Sequence, residues 1–138
     1  MRQKMKSKKP SELLNLYSKK LNSGIEKKLS PLSFVLNLQY RSPHIAQISG
    51  FVVFRTGWVL EFDEILEQEK TKVMKRKYRY HLMNKAKEML FRYDNVAHHP
   101  EIASHPDHKH VANKVLESKN PGLLEVIDEI ENLIVKEK

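Results

Sequence analysis

Six of the chain's seven histidines fall within residues 77–111, KYRYHLMNKAKEMLFRYDNVAHHPEIASHPDHKHV: His81, His98, His99, His105, His108 and His110. Arg79, Arg92, Asp94, Asn95 and Lys109 are interleaved with them. Imidazole changes charge near neutral pH and serves as general base, general acid or metal ligand. Three chemistries could use such a stretch. The first is metal-free phosphodiester cleavage. One histidine takes the proton of a ribose 2′-OH, a second protonates the leaving oxygen, and a cation stabilises the phosphorane. His81, Arg92, His98, His108 and Lys109 supply those parts without a cofactor. The second is a metal site. His105, His108 and His110, with Asp107 between them, offer zinc-class ligands at a spacing unlike the common zinc motifs, and Asp94 or Glu101 could orient the rings. The third is structural: His-Pro and Asp-Asn pairs form turns, and Asp94-Asn95 would cap the end of a strand.

Net charge narrows the partner. The chain carries +8 and has a pI near 9.6 over 138 residues. Residues 1–10 hold Arg2, Lys4, Lys6, Lys8 and Lys9 with no acid, and residues 70–93 hold nine basic residues against Glu88 alone. Residues 117–138 reverse the sign, with six acids against three lysines. Basic charge confined to segments points to a polyanion, most simply nucleic acid. Lys75, Lys77 and Arg79 are the candidate contacts, and Tyr78, Tyr80, Phe91 and Tyr93 could stack on bases, although Tyr78 and Tyr80 alternate as core residues do.

The elements that must position these groups read as an α+β domain. Residues 1–9 are expected to be a flexible basic arm, followed by one domain over 10–138. Pro10-Ser11-Glu12 begins a helix with Leu13, Leu14, Leu16, Tyr17 and Leu21 at helical spacing, and Asn22-Ser23-Gly24 is its expected stop. Strand patterns follow at 33–41, 45–54, 58–66, 74–82 and 89–94, with Gly50 a candidate bulge. Trp58, Leu60 and Phe62 alternate with Val59, Glu61 and Asp63, which gives one buried and one polar face. Glu64 breaks that alternation, either ending the strand or aiming a carboxylate at a site. Met74, Tyr78, Tyr80 and Leu82 are expected on one face of the next strand, with Lys75, Lys77, Arg79 and His81 on the other. A four-residue turn at 84–87 would set Arg79 against Arg92, a repulsion that a bound anion would relieve. Residues 96–111 read as an ordered loop. A last helix over about 121–135 carries the stripe Leu123, Leu124, Ile127, Ile130 and Ile134. The whole is an antiparallel meander of about five strands with terminal helices on one face.

Several classes are excluded. No run of apolar residues could span a membrane, the basic N-terminus has no apolar core after it, and there is no cysteine. The cytoplasm is the expected compartment. P-loop, GxGxxG, GxSxG and HExxH motifs are absent, against nucleotide-dependent enzymes and the common hydrolases.

The segments Tyr78-Arg79-Tyr80-His81, Phe91-Arg92-Tyr93-Asp94-Asn95-Val96-Ala97-His98-His99-Pro100 and His108-Lys109-His110 resemble the TumE family, small prokaryotic toxins of type II toxin–antitoxin pairs. The family pattern runs YxYH, FRYDNxPHHP and a proline-preceded HHKH, and the likeness covers about residues 45–130, with Trp58, Val59, Leu60 and Glu64 included. Ala97 stands where the family has proline, and Asp107 where the first histidine of HHKH is expected. The resemblance carries over to His81, Arg92, Asp94, Asn95, His98, His99, His108, Lys109 and His110, with Glu64. It implies a cognate antitoxin, typically a helix-turn-helix protein, and leaves the chemistry open. The residues themselves favour a metal-independent ribonuclease using His81 and a loop histidine, with Arg92 and Lys109 on the phosphate. In that reading Glu64, Asp94, Asn95, His99 and His110 support the site. The alternative is a non-catalytic nucleic-acid-binding protein with a structural or metal-binding histidine loop. RNA is the expected partner, a membrane is not, and a homodimer is left open.

Overall fold

The computed structural model describes residues 10–97 and 99–137. The basic arm at 1–9 and His98 lie outside these residues. Helix α1 (Pro10–Glu26) is followed by β1 (Pro31–Ser42), β2 (Ile45–Phe54), β3 (Val59–Glu69), β4 (Lys72–Met83), β5 (Met89–Asp94), β6 (His108–Val111), β7 (Lys114–Glu117) and helix α2 (Leu123–Lys136). The strands form one antiparallel sheet in the order β1-β2-β3-β4-β5-β6-β7, a plain meander with seven strands where the sequence suggested about five. No described helix is long and apolar enough to cross a membrane.

Alternation sorts the sheet into two faces. Leu60, Phe62 and Leu66 of β3, Tyr78, Tyr80 and Leu82 of β4, and Phe91 and Tyr93 of β5 turn inward and are buried. They share a core with Leu14, Leu21 and Ile25 of α1 and with Leu123, Val126, Ile127 and Ile130 of α2. Each such large apolar side chain contributes about 1.5–3 kcal/mol by leaving water. Helix α1 runs through Asn22-Ser23-Gly24 to Glu26, and Gly24 makes room for Leu124 of α2. A Cβ there would meet Leu124 Cδ1 at 2.5 Å. Gly50 is not a bulge, since β2 keeps register with β3 past it. It admits the β1 backbone instead: a Cβ at Gly50 would lie 1.9 Å from the Val35 carbonyl oxygen.

Two irregularities decide where the polar residues point. The pairing of β3 with β4 slips between Ile65 and Leu66, which face Lys77 and Lys75, so Arg76 is an extra residue on β4. Such a bulge reverses the phase of the strand before it. Lys75 therefore turns inward and Met74 outward, opposite to the strict alternation expected. The β4–β5 turn has five residues, 84–88, which pairs Arg79 with Asp94 and His81 with Arg92. The expected Arg79–Arg92 opposition does not occur, and the anion invoked to relieve it is not called for.

Candidate functional site: a histidine and arginine row on the open face

The face away from the helices carries two parallel rows of polar side chains across β3–β6. Register aligns Glu61, His81, Arg92 and His110 in one row, and Asp63, Arg79, Asp94 and His108 in the next. Neighbouring strands lie about 4.8 Å apart, so the His81 and His110 backbones are about 10 Å apart with Arg92 between them. The end of the expected loop is strand β6. Its four residues HKHV show no apolar alternation and are held by pairing with β5. Only residues 95–107 form the loop, tied by Ile102 N–H to the His99 carbonyl (3.2 Å) and by the Ser104 hydroxyl to the Asp107 carbonyl (2.6 Å).

Asp94 is the centre of the second row and is almost fully buried. Its Oδ1 accepts from the backbone N–H of Val96 (3.0 Å) and lies 2.8 Å from His108 Nε2. Its Oδ2 accepts from Arg92 Nε at 3.0 Å and lies 3.8 Å from His110 Nε2. One carboxylate thus caps the end of β5 and holds the His108 imidazole, with His110 further off. His108 is also buried, and its Nδ1 faces the Pro106 carbonyl at 2.9 Å. His99 comes over from the loop, its ring centroid 5.1 Å from that of His108 and 5.7 Å from that of His110. His99, His108 and His110 thus offer ligand atoms within 4.8 Å of one another. His105 is exposed and outside this cluster, so the third imidazole is His99 and not His105.

His81 stands at the other end of the row. Its Nε2 is buried and has no hydrogen-bond partner among the described residues. Burial, then the Arg79 and Arg92 charges, holds its pKa below the usual histidine value, against the opposing pull of Glu61. His110 is also lowered, by burial and then Arg92, with Asp94 acting in the opposite direction. Arg92 is one-third exposed. Among the described residues only Asp94 engages its guanidinium, through Nε.

Beyond Asp94 the face opens into a groove of about 520 Å³ lined by Ile65, Lys77, Arg79, Val96, Ala97 and Pro106. Lys77 and Arg79 are exposed there, and Asp63 lies 3.7 Å from Arg79. Glu61 and Asp63 were legible as the polar side of β3, but only the register shows that they flank His81 and Arg79.

Four expected site residues lie elsewhere. Lys109 follows His108 on a strand, so it projects to the helix face, where it pairs with Glu129 at 2.8 Å over the Tyr93 ring. It cannot share a phosphate with Arg92. Glu64 neither ends its strand nor reaches the histidines. It is fully buried on the helix face, accepting hydrogen bonds from Tyr17 (2.5 Å) and Tyr80. Lys75 completes that network by donating to the Tyr80 hydroxyl at 2.8 Å and to the Pro121 carbonyl, so it is not a surface contact. Burial pulls its ammonium below the usual lysine value, while Glu64, Asp107 and Glu125 pull it back up. Asn95 ties the Arg76 bulge in place. It accepts from Tyr78 N–H (3.1 Å) and donates to the Arg76 carbonyl (3.0 Å). Asp107, which departs from the family pattern, accepts from the Tyr78 hydroxyl at 2.6 Å.

The segments that carry the family likeness therefore meet in space: β4 brings His81, β5 brings Arg92 and Asp94, and β6 brings His108 and His110. Residues 25–137 match the family described as Toxin TumE. The chain belongs to the TumE toxin family. The match takes in α2 and every strand, wider than the span of about 45–130 read from the motifs. No curated protein and no solved structure matches the chain. Membership makes this TumE protein the toxin of a toxin–antitoxin pair, with an antitoxin as its partner.

Proposed function

We propose that this TumE toxin cleaves RNA by metal-independent acid–base chemistry on the row His81–Arg92–His110. The observation that carries the reading is the alignment of two imidazoles on either side of a guanidinium, on the face opposite the described helices. Arg92 binds the scissile phosphate and stabilises the charge that builds on its equatorial oxygens. His81, faced by two arginines that disfavour its cation, takes the proton from the 2′-OH. The 2′-oxygen attacks phosphorus, and the bond to the 5′-oxygen of the next nucleotide breaks. His110, with the Asp94 carboxylate 3.8 Å behind it, delivers the proton to that leaving oxygen. Bound phosphate raises the pKa of both imidazoles by its own charge, which makes His110 competent as the acid near neutrality. His108 takes no proton in this scheme. It positions Asp94, and Asp94 positions Arg92.

Charge supports RNA as the substrate. Lys77 and Arg79 line the groove beside the row, where a flanking nucleotide fits, and the chain is strongly basic overall. Phosphate contacts of this kind give salt-dependent affinity. RNA as target places the action in the cytoplasm, and the family likeness favours a helix-turn-helix antitoxin that silences it.

The decisive substrate is a ribodinucleoside monophosphate compared with its 2′-deoxy analogue. The ribo compound should yield a 2′,3′-cyclic phosphate and the deoxy compound should stay intact. Cleavage of both would overturn attack by the 2′-oxygen, and cleavage of neither while RNA is still bound would leave a binding module in place of the nuclease.

A further inference from the structure

We propose that His99, His108 and His110 of this chain, with Asp94, form a binding site for a divalent zinc-class metal ion, and that the ion inhibits the toxin. The second clause rests on the ribonuclease reading above, whereas the first stands on geometry alone. The three ligand atoms lie within 4.8 Å of one another, so modest closure brings them onto one ion. His99 is the member that lies outside the strands.

Two of the three rings are already oriented as metal ligands are. An acceptor on one ring nitrogen fixes the tautomer and leaves the other to coordinate. In His108 that acceptor is the Pro106 carbonyl, 2.9 Å from Nδ1. In His99 it is the Glu101 carboxylate, 3.1 Å from Nδ1. His108 Nε2 then presents its lone pair to Asp94 Oδ1 at 2.8 Å, an arrangement that a shared cation completes. A proton on Nε2 completes it as well, so the test must detect the metal itself. Three imidazoles and a carboxylate suit zinc, cobalt or nickel over magnesium or calcium, which prefer all-oxygen sites. His110 belongs both to this cluster and to the proposed acid–base row. An ion here takes up the lone pair that His110 needs for proton transfer, so it blocks the acid without competing for Arg92.

The probe is cobalt(II) titrated into the full chain, followed by its visible absorption, which intensifies in a four-coordinate site. The expected result is one cobalt per chain, displaced by zinc, with affinity at least tenfold weaker in both His99→Ala and His110→Ala and unchanged in His105→Ala. These residues are not core-buried, so the variants should fold. No cobalt band would overturn the site, as would a band that survives both substitutions or is lost in His105→Ala. RNA cleavage with and without one equivalent of zinc then tests inhibition. Wild type should be suppressed, whereas the cleavage His99→Ala retains, at whatever rate, should be indifferent to zinc. Zinc-stimulated cleavage would overturn inhibition and the metal-free mechanism together. A chain that binds cobalt but cleaves nothing would remove the nuclease reading and leave the site standing.

Discussion

Asp94→Asn is the sharpest perturbation of the site because it changes charge while keeping shape. The carboxylate serves Val96 N–H, His108 and Arg92 Nε from a position 4% exposed. An asparagine keeps one acceptor oxygen. If that oxygen stays toward Val96 and His108, the amide NH2 points at the Arg92 Nε–H, donor against donor. The lost charge-assisted bond is worth about 1.5–3 kcal/mol, and the stranded donor adds about 1–3 kcal/mol. Arg92 is one-third exposed, so water recovers part of this. A net loss of about 2–3 kcal/mol is expected, or roughly 6–10 °C in Tm for a chain of this size. Urea unfolding measures the free energy, and amide exchange over 95–107 reports whether the loop comes loose. RNA cleavage should fall with it, because Arg92 loses its anchor. A change under about 0.5 kcal/mol with unchanged loop protection would refute Asp94 as the organising group.

Three further outcomes follow from the same geometry. Glu64→Ala should cost about 3–5 kcal/mol by leaving two buried phenols without their shared acceptor and the Lys75 ammonium without the nearby Glu64 charge, and calorimetry on Glu64→Leu with Tyr17→Phe and Tyr80→Phe should recover much of it. Lys109→Met should shift stability through the lost Glu129 pair yet leave RNA cleavage within about twofold, since Lys109 lies on the helix face; a loss of about 100-fold, the scale of an acid–base group, would put it back in the site. His81 and His110 both have folded pKa values lowered from 6.5. Between 6.5 and those lowered values the unfolded chain holds protons that the folded chain lacks. The stability they contribute is therefore complete above pH 6.5 and lost as pH falls through that window, and urea midpoints of wild type and His81→Gln at pH 7.5 and 5.5 should differ in slope.

Much of this was legible in the residues, and what was not has a physical reason. Alternation in 58–63 put Glu61 and Asp63 on the polar face correctly, because β3 is regular there. The same rule failed for Met74 and Lys75, because the Arg76 bulge reverses the phase and nothing in KVMKRKYRY marks it. Register across the β4–β5 turn depends on one residue of turn length, so Arg79 was set against Arg92 and not Asp94. Strand β6 was missed since its pattern is polar on both sides and its stability comes from β5. Once it is a strand, Lys109 must leave the site and His110 must enter it. The motif segments lie on the neighbouring strands β4, β5 and β6. Their sides of the sheet needed coordinates.

The central claim is that His81 and His110 act as the base and acid on RNA held by Arg92. The direct measurement is the cleavage rate of one RNA by wild type, His81→Ala and His110→Ala, each with and without EDTA. Cleavage that persists in EDTA and drops by about 10²–10⁴-fold in each variant, with RNA affinity retained, is the predicted result. Cleavage abolished by EDTA, or undiminished in either variant, would contradict it.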